Sequence, residues 1–157
     1  MSVSMILCRV TSDPLDPRAA EAAVGDRTRG AVATFQGVVR DHHAGRRVTR
    51  IEYSAYAPMA EEVFRAIAAE AGGRFGGVAI AVLHRIGGLQ VGEVSLVVAA
   101  GSVHRREAHE ACSFVVDAIK KRAPIWKKEF GDDGVFWIEG PGECAALDPA
   151  GRPGRDG

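Results

Sequence analysis

Lysine is used in one place only. All four lysines of the 157-residue chain, Lys120, Lys121, Lys127 and Lys128, fall in a single short segment, and every other basic side chain is Arg. Dealing lysines at random among the basic positions gives this clustering about one time in a thousand, which points to a need for an ammonium group and not merely for positive charge. A desolvated lysine can release its proton and act as acid, base or nucleophile near neutral pH, which a guanidinium cannot do. The competing reading is a solvated basic face. A second set is His104 and Arg105, just after Ser102, where a helix is expected to begin. Free backbone N–H groups and the positive end of the helix dipole favour an anion there, and an Arg and a His would complete a phosphate or carboxylate site. In the plainer reading, His104 continues the apolar stripe of Ala108, Ala111, Cys112, Val115 and Ile119. Arg40, ahead of His42 and His43, is a third candidate; adjacent histidines on an extended chain face opposite ways, so no metal site is expected. No Ser-His-Asp set, Gly-rich phosphate loop or paired-carboxylate motif stands out.

The spacing of these groups has a consequence. On one helix, Arg105 and Lys120 share a flank but lie about 22 Å apart, at 1.5 Å per residue. One small-molecule pocket cannot hold both from the same copy. If both serve one site, a second copy supplies one of them, so a homodimer with shared pockets is expected, with Phe114 a candidate for the contact.

The elements that must position these residues follow from periodicity. Met5 to Val10 reads as a short strand, and Leu15 to Val24 as a helix with Pro14 and Pro17 suited to its start and Gly25 to its end. Ala31 to Val39 and Ile51 to Tyr56 read as strands joined across the polar turn Asp41 to Arg47, a hairpin with a long loop. Pro58 opens a helix whose apolar residues, among them Ala60, Val63, Phe64, Ile67 and Ala71, recur every three or four positions, with Gly72 and Gly73 expected to end it. Val78 to Ile86 and Val94 to Ala100 are apolar runs of buried strands, with Gly87 and Gly88 as a turn. Ser102 is expected to cap a helix reaching about Arg122, because Pro124 disfavours helical geometry at Ala123. Short strands near Ile125 to Phe130 and Val135 to Ile138 flank an Asp132-Asp133-Gly134 turn. Hairpins mixed with helices indicate an α+β domain over residues 1–139. The Gly-, Pro-, Ala- and charge-rich segment 140–157 reads as a disordered tail.

Composition narrows the classes further. With 46% hydrophobic residues the chain can bury a single-domain core without disulfide or metal. Twenty Lys and Arg balance twenty Asp and Glu, so net charge indicates neither nucleic acid nor an anionic membrane as partner, and anion binding must be local. Cys8, Cys112 and Cys144 show no paired spacing, which fits a reducing cytoplasm. No segment approaches a membrane span or a secretory signal, so a cytoplasmic protein is expected.

Five segments in this order resemble the molybdopterin synthase large-subunit family over roughly Gly30 to Glu139. They are Gly30-Ala-Val-Ala-Thr-Phe-Gln-Gly-Val-Val-Arg40, Glu52-Tyr-Ser-Ala-Tyr-Ala-Pro-Met-Ala60, His84-Arg-Ile-Gly-Gly-Leu-Gln-Val-Gly-Glu93, His104-Arg105, and Lys120 through Pro124-Ile-Trp-Lys-Lys-Glu129. The resemblance implies an α/β hammerhead-like fold with antiparallel sheet, hairpins and packed helices. It also implies a central homodimer with a small ubiquitin-like sulfur-carrier subunit at each end of a heterotetramer. That carrier ends in a Gly-Gly thiocarboxylate, and two sulfurs pass from it to cyclic pyranopterin monophosphate to form the dithiolene of molybdopterin. By position, Lys120 and Lys127 resemble the catalytic lysines, and Val38, Val39, Arg40, His104, Arg105, Lys128 and Glu129 the substrate-binding set, with no cofactor or metal implied. Departures are His109 for a usual Phe, Ser54 within a Tyr-Glu-x-Tyr-like segment, and Asp41 and His43 for common Asn residues. A basic residue that some members carry after Glu139 is absent, with Arg152 or Arg155 as substitutes. The residues alone also fit a Schiff-base lyase using Lys120 or Lys127, or a non-catalytic anion-binding or carrier-docking module.

Overall fold

The computed structural model describes residues 6–138 and the backbone of 139 and 143–146. In chain order the first half comprises β1 (Ile6–Thr11), α1 (Pro17–Val24), β2 (Ala31–Val38), β3 (His42–His43), β4 (Arg46–Arg47), β5 (Arg50–Ala55) and α2 (Ala57–Arg74). The second half comprises β6 (Ala79–Arg85), β7 (Gly87–Gln90), β8 (Val94–Ser102), α3 (Arg105–Arg122), β9 (Ile125–Gly131), β10 (Gly134–Glu139) and β11 (Glu143–Ala146). Two sheets result, of order β1-β6-β8-β2 and β11-β10-β9-β5-β7, with β3 and β4 a separate small hairpin. Pairing is antiparallel throughout except between β1 and β6, which run parallel.

The first sheet is covered on both faces, which explains the unbroken apolar runs of β6 and β8. Alternation sends Ile80, Val82, Val98 and Ala100 to one face, where Phe64 and Ile67 of α2 and Ala111 and Val115 of α3 pack on them. Ala79, Ala81, Val97 and Ala99 face the other way, onto Ala20 and Val24 of α1. The small side chains on that second face let α1 approach closely: a Cβ at Gly101 would overlap the Val24 carbonyl. Asp16 caps α1 by accepting the Arg18 N–H at 3.0 Å, with Pro17 in the first turn. The second sheet has its own small core of Val39, Val48, Ile51 and Leu89.

Several expectations are corrected. Strands β2 and β5 do not form a hairpin with each other: β2 pairs with β8 and β5 pairs with β7 and β9, so the chain crosses between sheets through β3 and β4. Gly72 and Gly73 lie inside α2, which runs to Arg74. Gly76 and Gly77 (φ 75° and 84°) supply the left-handed residues that stop it, and the Gly77 N–H donates back to the Gly72 carbonyl at 2.8 Å. Gly87 and Gly88 belong to β7, opposite Tyr53 and Glu52. Ser102 is the last residue of β8, and α3 starts from His104 with no side-chain cap. At its other end α3 stops at Arg122, as Pro124 requires. Beyond 139, Glu143–Ala146 pairs with β10, so a strand falls within the segment expected to be disordered; the rest of that tail lies outside the described residues.

Candidate active site

A cleft of about 450 Å³ lies where the two sheets meet, at the C-terminal end of α3. The cations on it come from three separate places in the chain. Lys120 and Lys121 come from the last turn of α3, where basic residues complement the negative end of the helix dipole. Lys127 comes from β9. Arg40 follows β2, where the backbone is fixed as Val39 donates its N–H to the Glu93 carbonyl at 3.0 Å and accepts from the Gly92 N–H at 2.9 Å. The walls between these charges are apolar and aromatic, including Phe35, Tyr53, Leu96, Ile125 and Ile138. Such a cleft suits a flat ring system carrying negative charge at one edge.

Strand alternation sorts the neighbouring residues. Lys127 and Glu129 share one face of β9, and Lys128 takes the other, over the rings of Phe130 and Trp137 at 5.3 Å from each centroid. Lys128 does not line the cleft. Glu129 lies beneath it, 2% exposed, with Oε1 3.6 Å from Lys127 Nζ and 2.7 Å from His43 Nδ1. The pKa of Lys127 is lowered, first by burial and then by Lys120 and Arg40, while Glu129 pulls the other way. The lysine is therefore biased toward releasing its proton, the property that distinguishes it from arginine.

Of the other expected site residues, Val38 is exposed and Val39 is buried in the core of the second sheet. His104 and Arg105 line a separate cavity of about 500 Å³ at the opposite end of α3, with Gly30 and Val103. The structure thus joins Lys120, Lys127 and Arg40 in one chain and leaves His104 and Arg105 apart, as the helix length requires. Phe114, the candidate contact with a second copy, is half-buried, its ring packed edge-on to Phe75 at 5.7 Å with Arg74 over it. Lys121 is exposed and also lines the cleft. Arg152 and Arg155 lie outside the described residues.

Sequence reasoning passed over His43, Tyr53, His84 and Ser95, which also line the cleft. Tyr53 sits opposite Lys127 in the register of β5 and β9, and its phenol pKa is raised, chiefly by burial. The period-2 pattern of β5 gave a signal for it, but only pairing with β9 aims that face at the lysine. His84 is 6% exposed, set edge-on to Tyr53 with centroids 5.2 Å apart, and donates Nδ1–H to the Arg85 carbonyl at 2.8 Å. Burial pushes its pKa from 6.5 down to about 4. Below pH 6.5 the unfolded chain takes up a proton that the folded chain refuses, so this contribution to stability is present above that pH and lost as pH falls toward 4. Urea midpoints are expected to decline across that window, and less steeply in His84→Phe; equal slopes in both proteins would assign the decline elsewhere. Neither Cys8 nor Cys112 lines the cleft, and burial pushes both thiols up to about 11.

An α+β scaffold that gathers lysines and an arginine over an apolar floor, with one ammonium biased toward losing its proton, is equipped to bind an anion and to hand over a proton. The MoaE protein family model matches residues 10–122. A molybdopterin synthase catalytic subunit from Pyrococcus abyssi is 46% identical over 119 residues, which span 76% of this chain and 80% of that protein. The crystal structure of molybdopterin synthase from Staphylococcus aureus superposes with a TM-score of 0.78 at 32% identity, covering 88% of this chain and 98% of that one. A Helicobacter pylori chain, from a complex of subunits 1 and 2 of molybdopterin-converting factor, shares the fold with a TM-score of 0.66 at 21% identity, covering 88% and 91%. The chain belongs to the MoaE family of molybdopterin synthase catalytic subunits, enzymes of molybdenum cofactor biosynthesis.

Proposed function

We propose that this chain transfers sulfur to cyclic pyranopterin monophosphate from a small carrier subunit bearing a C-terminal thiocarboxylate, in the cytoplasm. The observation that carries the reading is the convergence of Lys120, Lys127 and Arg40 on one cleft. The thiocarboxylate sulfur attacks the pterin side chain and displaces an oxygen. Water then cleaves the resulting thioester, freeing the carrier carboxylate, and a second carrier repeats the step to complete the dithiolene. Arg40 and Lys120 hold the phosphate and the developing oxyanion. Lys127 delivers a proton to the departing oxygen. The sulfur arrives on the partner, so no thiol of this chain is required, in keeping with the positions of Cys8 and Cys112 away from the cleft.

Partnership with a small subunit accords with the two-subunit complex formed by the Helicobacter pylori protein. The substrate-binding role of His104 and Arg105 requires a second copy of the chain, because one copy keeps them at the far end of α3 from Lys120. Mixing the purified chain with thiocarboxylated carrier and cyclic pyranopterin monophosphate is expected to yield dithiolene product by mass spectrometry. Absence of product despite carrier binding would instead favour a docking module.

A further inference from the structure

We propose that His43 is a positioning residue: by donating Nδ1–H to the buried Glu129 carboxylate, it keeps Glu129 from drawing the Lys127 ammonium away from the cleft. The inference rests on the cleft being the catalytic site, and it adds a residue for which the family pattern has a common Asn. His43 Nδ1 lies 2.7 Å from Glu129 Oε1 and 3.2 Å from Oε2, with its N–H directed to Oε2. Oε1 is fully buried and accepts no hydrogen bond, and Lys127 Nζ waits 3.6 Å from it. A buried carboxylate with one oxygen unsatisfied draws strongly on any donor within reach. Two donors therefore compete for one anion. So long as His43 supplies a bond, Lys127 is held near the carboxylate without being consumed by it, and its ammonium stays available to a ligand.

The local fold makes this placement rigid. Ala44 and Gly45, with φ of 51° and 76°, form the two-residue turn that closes β3 on β4 and sets His43 opposite Arg46. The hairpin sits directly on the end of β9: a Cβ at Gly131 would overlap the Arg47 carbonyl, and the Thr49 N–H donates to the Phe130 carbonyl at 2.8 Å. His43 therefore meets Glu129 through two tightly joined backbones. The ionisable groups around Lys127 are Lys120 and Lys121 of α3, Arg40, Tyr53 of β5, His43 of β3, His84 of β6 and Glu129 on its own strand. Only Glu129 among them favours the charged lysine electrostatically. Loss of the His43 bond thus strengthens the one interaction that holds the proton on Lys127.

The clustering of lysine makes the test direct, because reductive ¹³C-methylation labels only four lysines and the amino terminus, and Lys→Arg variants assign the signals. In His43→Ala the titration midpoint of Lys127 is expected to rise by about one pH unit, while that of Lys128, on the opposite face, stays fixed. His43→Asn keeps a side-chain donor and is expected to restore the wild-type midpoint. In the Glu129→Gln background, His43→Ala is expected to have no effect on Lys127. An unmoved Lys127 signal in folded His43→Ala, or an equal rise in His43→Asn, overturns the proposal, and if His43→Ala fails to fold, the comparison of His43→Asn and His43→Gln with wild type decides. This readout needs neither carrier nor pterin, so its failure is distinct from failure of the sulfur-transfer reading. In the complete reaction, His43→Ala is expected to lower kcat roughly tenfold with a smaller change in KM.

Discussion

Lys127→Ala is expected to lower the single-turnover rate of dithiolene formation by roughly 10² to 10⁴, the range lost when a positioned proton donor is removed. Arg40 does not replace it, because a guanidinium holds its proton near neutral pH, and Lys120 reaches the site from a different element. Lys127→Arg is expected to lose nearly as much rate while retaining carrier and pterin binding, because positive charge survives but proton transfer does not. The two variants together separate the enzyme from a docking module, in which Arg serves as well as Lys. Stopped reactions analysed by mass spectrometry, with a thermal melt of each variant, give the answer. Wild-type rates in Lys127→Arg would remove Lys127 from the chemistry. The lowered pKa of the lysine adds a pH signature: its deprotonation weakens proton donation at a lower pH than for a solvated lysine, so the alkaline fall in rate should begin earlier than an ordinary ammonium predicts.

What the sequence made legible followed from local physics. The stripe of Ala60, Phe64, Ile67 and Ala71 identifies α2, and Pro124 marks the end of α3, because helices are written in contacts a few residues apart. The apolar runs of β6 and β8 announce strands covered on both faces. Strand partners are another matter. Neighbours in sequence such as β2 and β5 can lie in different sheets, since pairing depends on burial between distant segments; β2 takes as its partner β8, far along the chain. The cleft was legible to the same degree. Lysine clustering singled out the segment of four lysines and the family resemblance picked Lys120 and Lys127 from it, which the structure brings together with Arg40. His43 was set aside as one of two adjacent histidines, and Glu129 was grouped with Lys128. Only the seating of the β3–β4 hairpin on β9 brings His43 to Glu129, and only strand alternation separates Glu129 from Lys128.

Complementation between variants is the second large effect, and it follows from the length of α3. A chain lacking Lys127 and a chain lacking Arg105 are each expected to be nearly inactive alone, since every site in either homodimer misses one group. In a mixed dimer with shared pockets, one site misses both groups and the other misses neither. Random mixing at equal amounts makes half of the dimers mixed, so about a quarter of wild-type activity is expected to return. The activity should rise and fall symmetrically with the mixing ratio, peaking at equal amounts. Mass-tagged chains followed by native mass spectrometry verify that subunits exchange. Exchange without recovered activity would mean that Lys127 and Arg105 do not serve one pocket, and that the cavity at the start of α3 is independent of the cleft at its end. Recovery would assign the two ends of α3 to neighbouring sites, so that the same helix serves one cleft through Lys120 and its partner's cleft through Arg105.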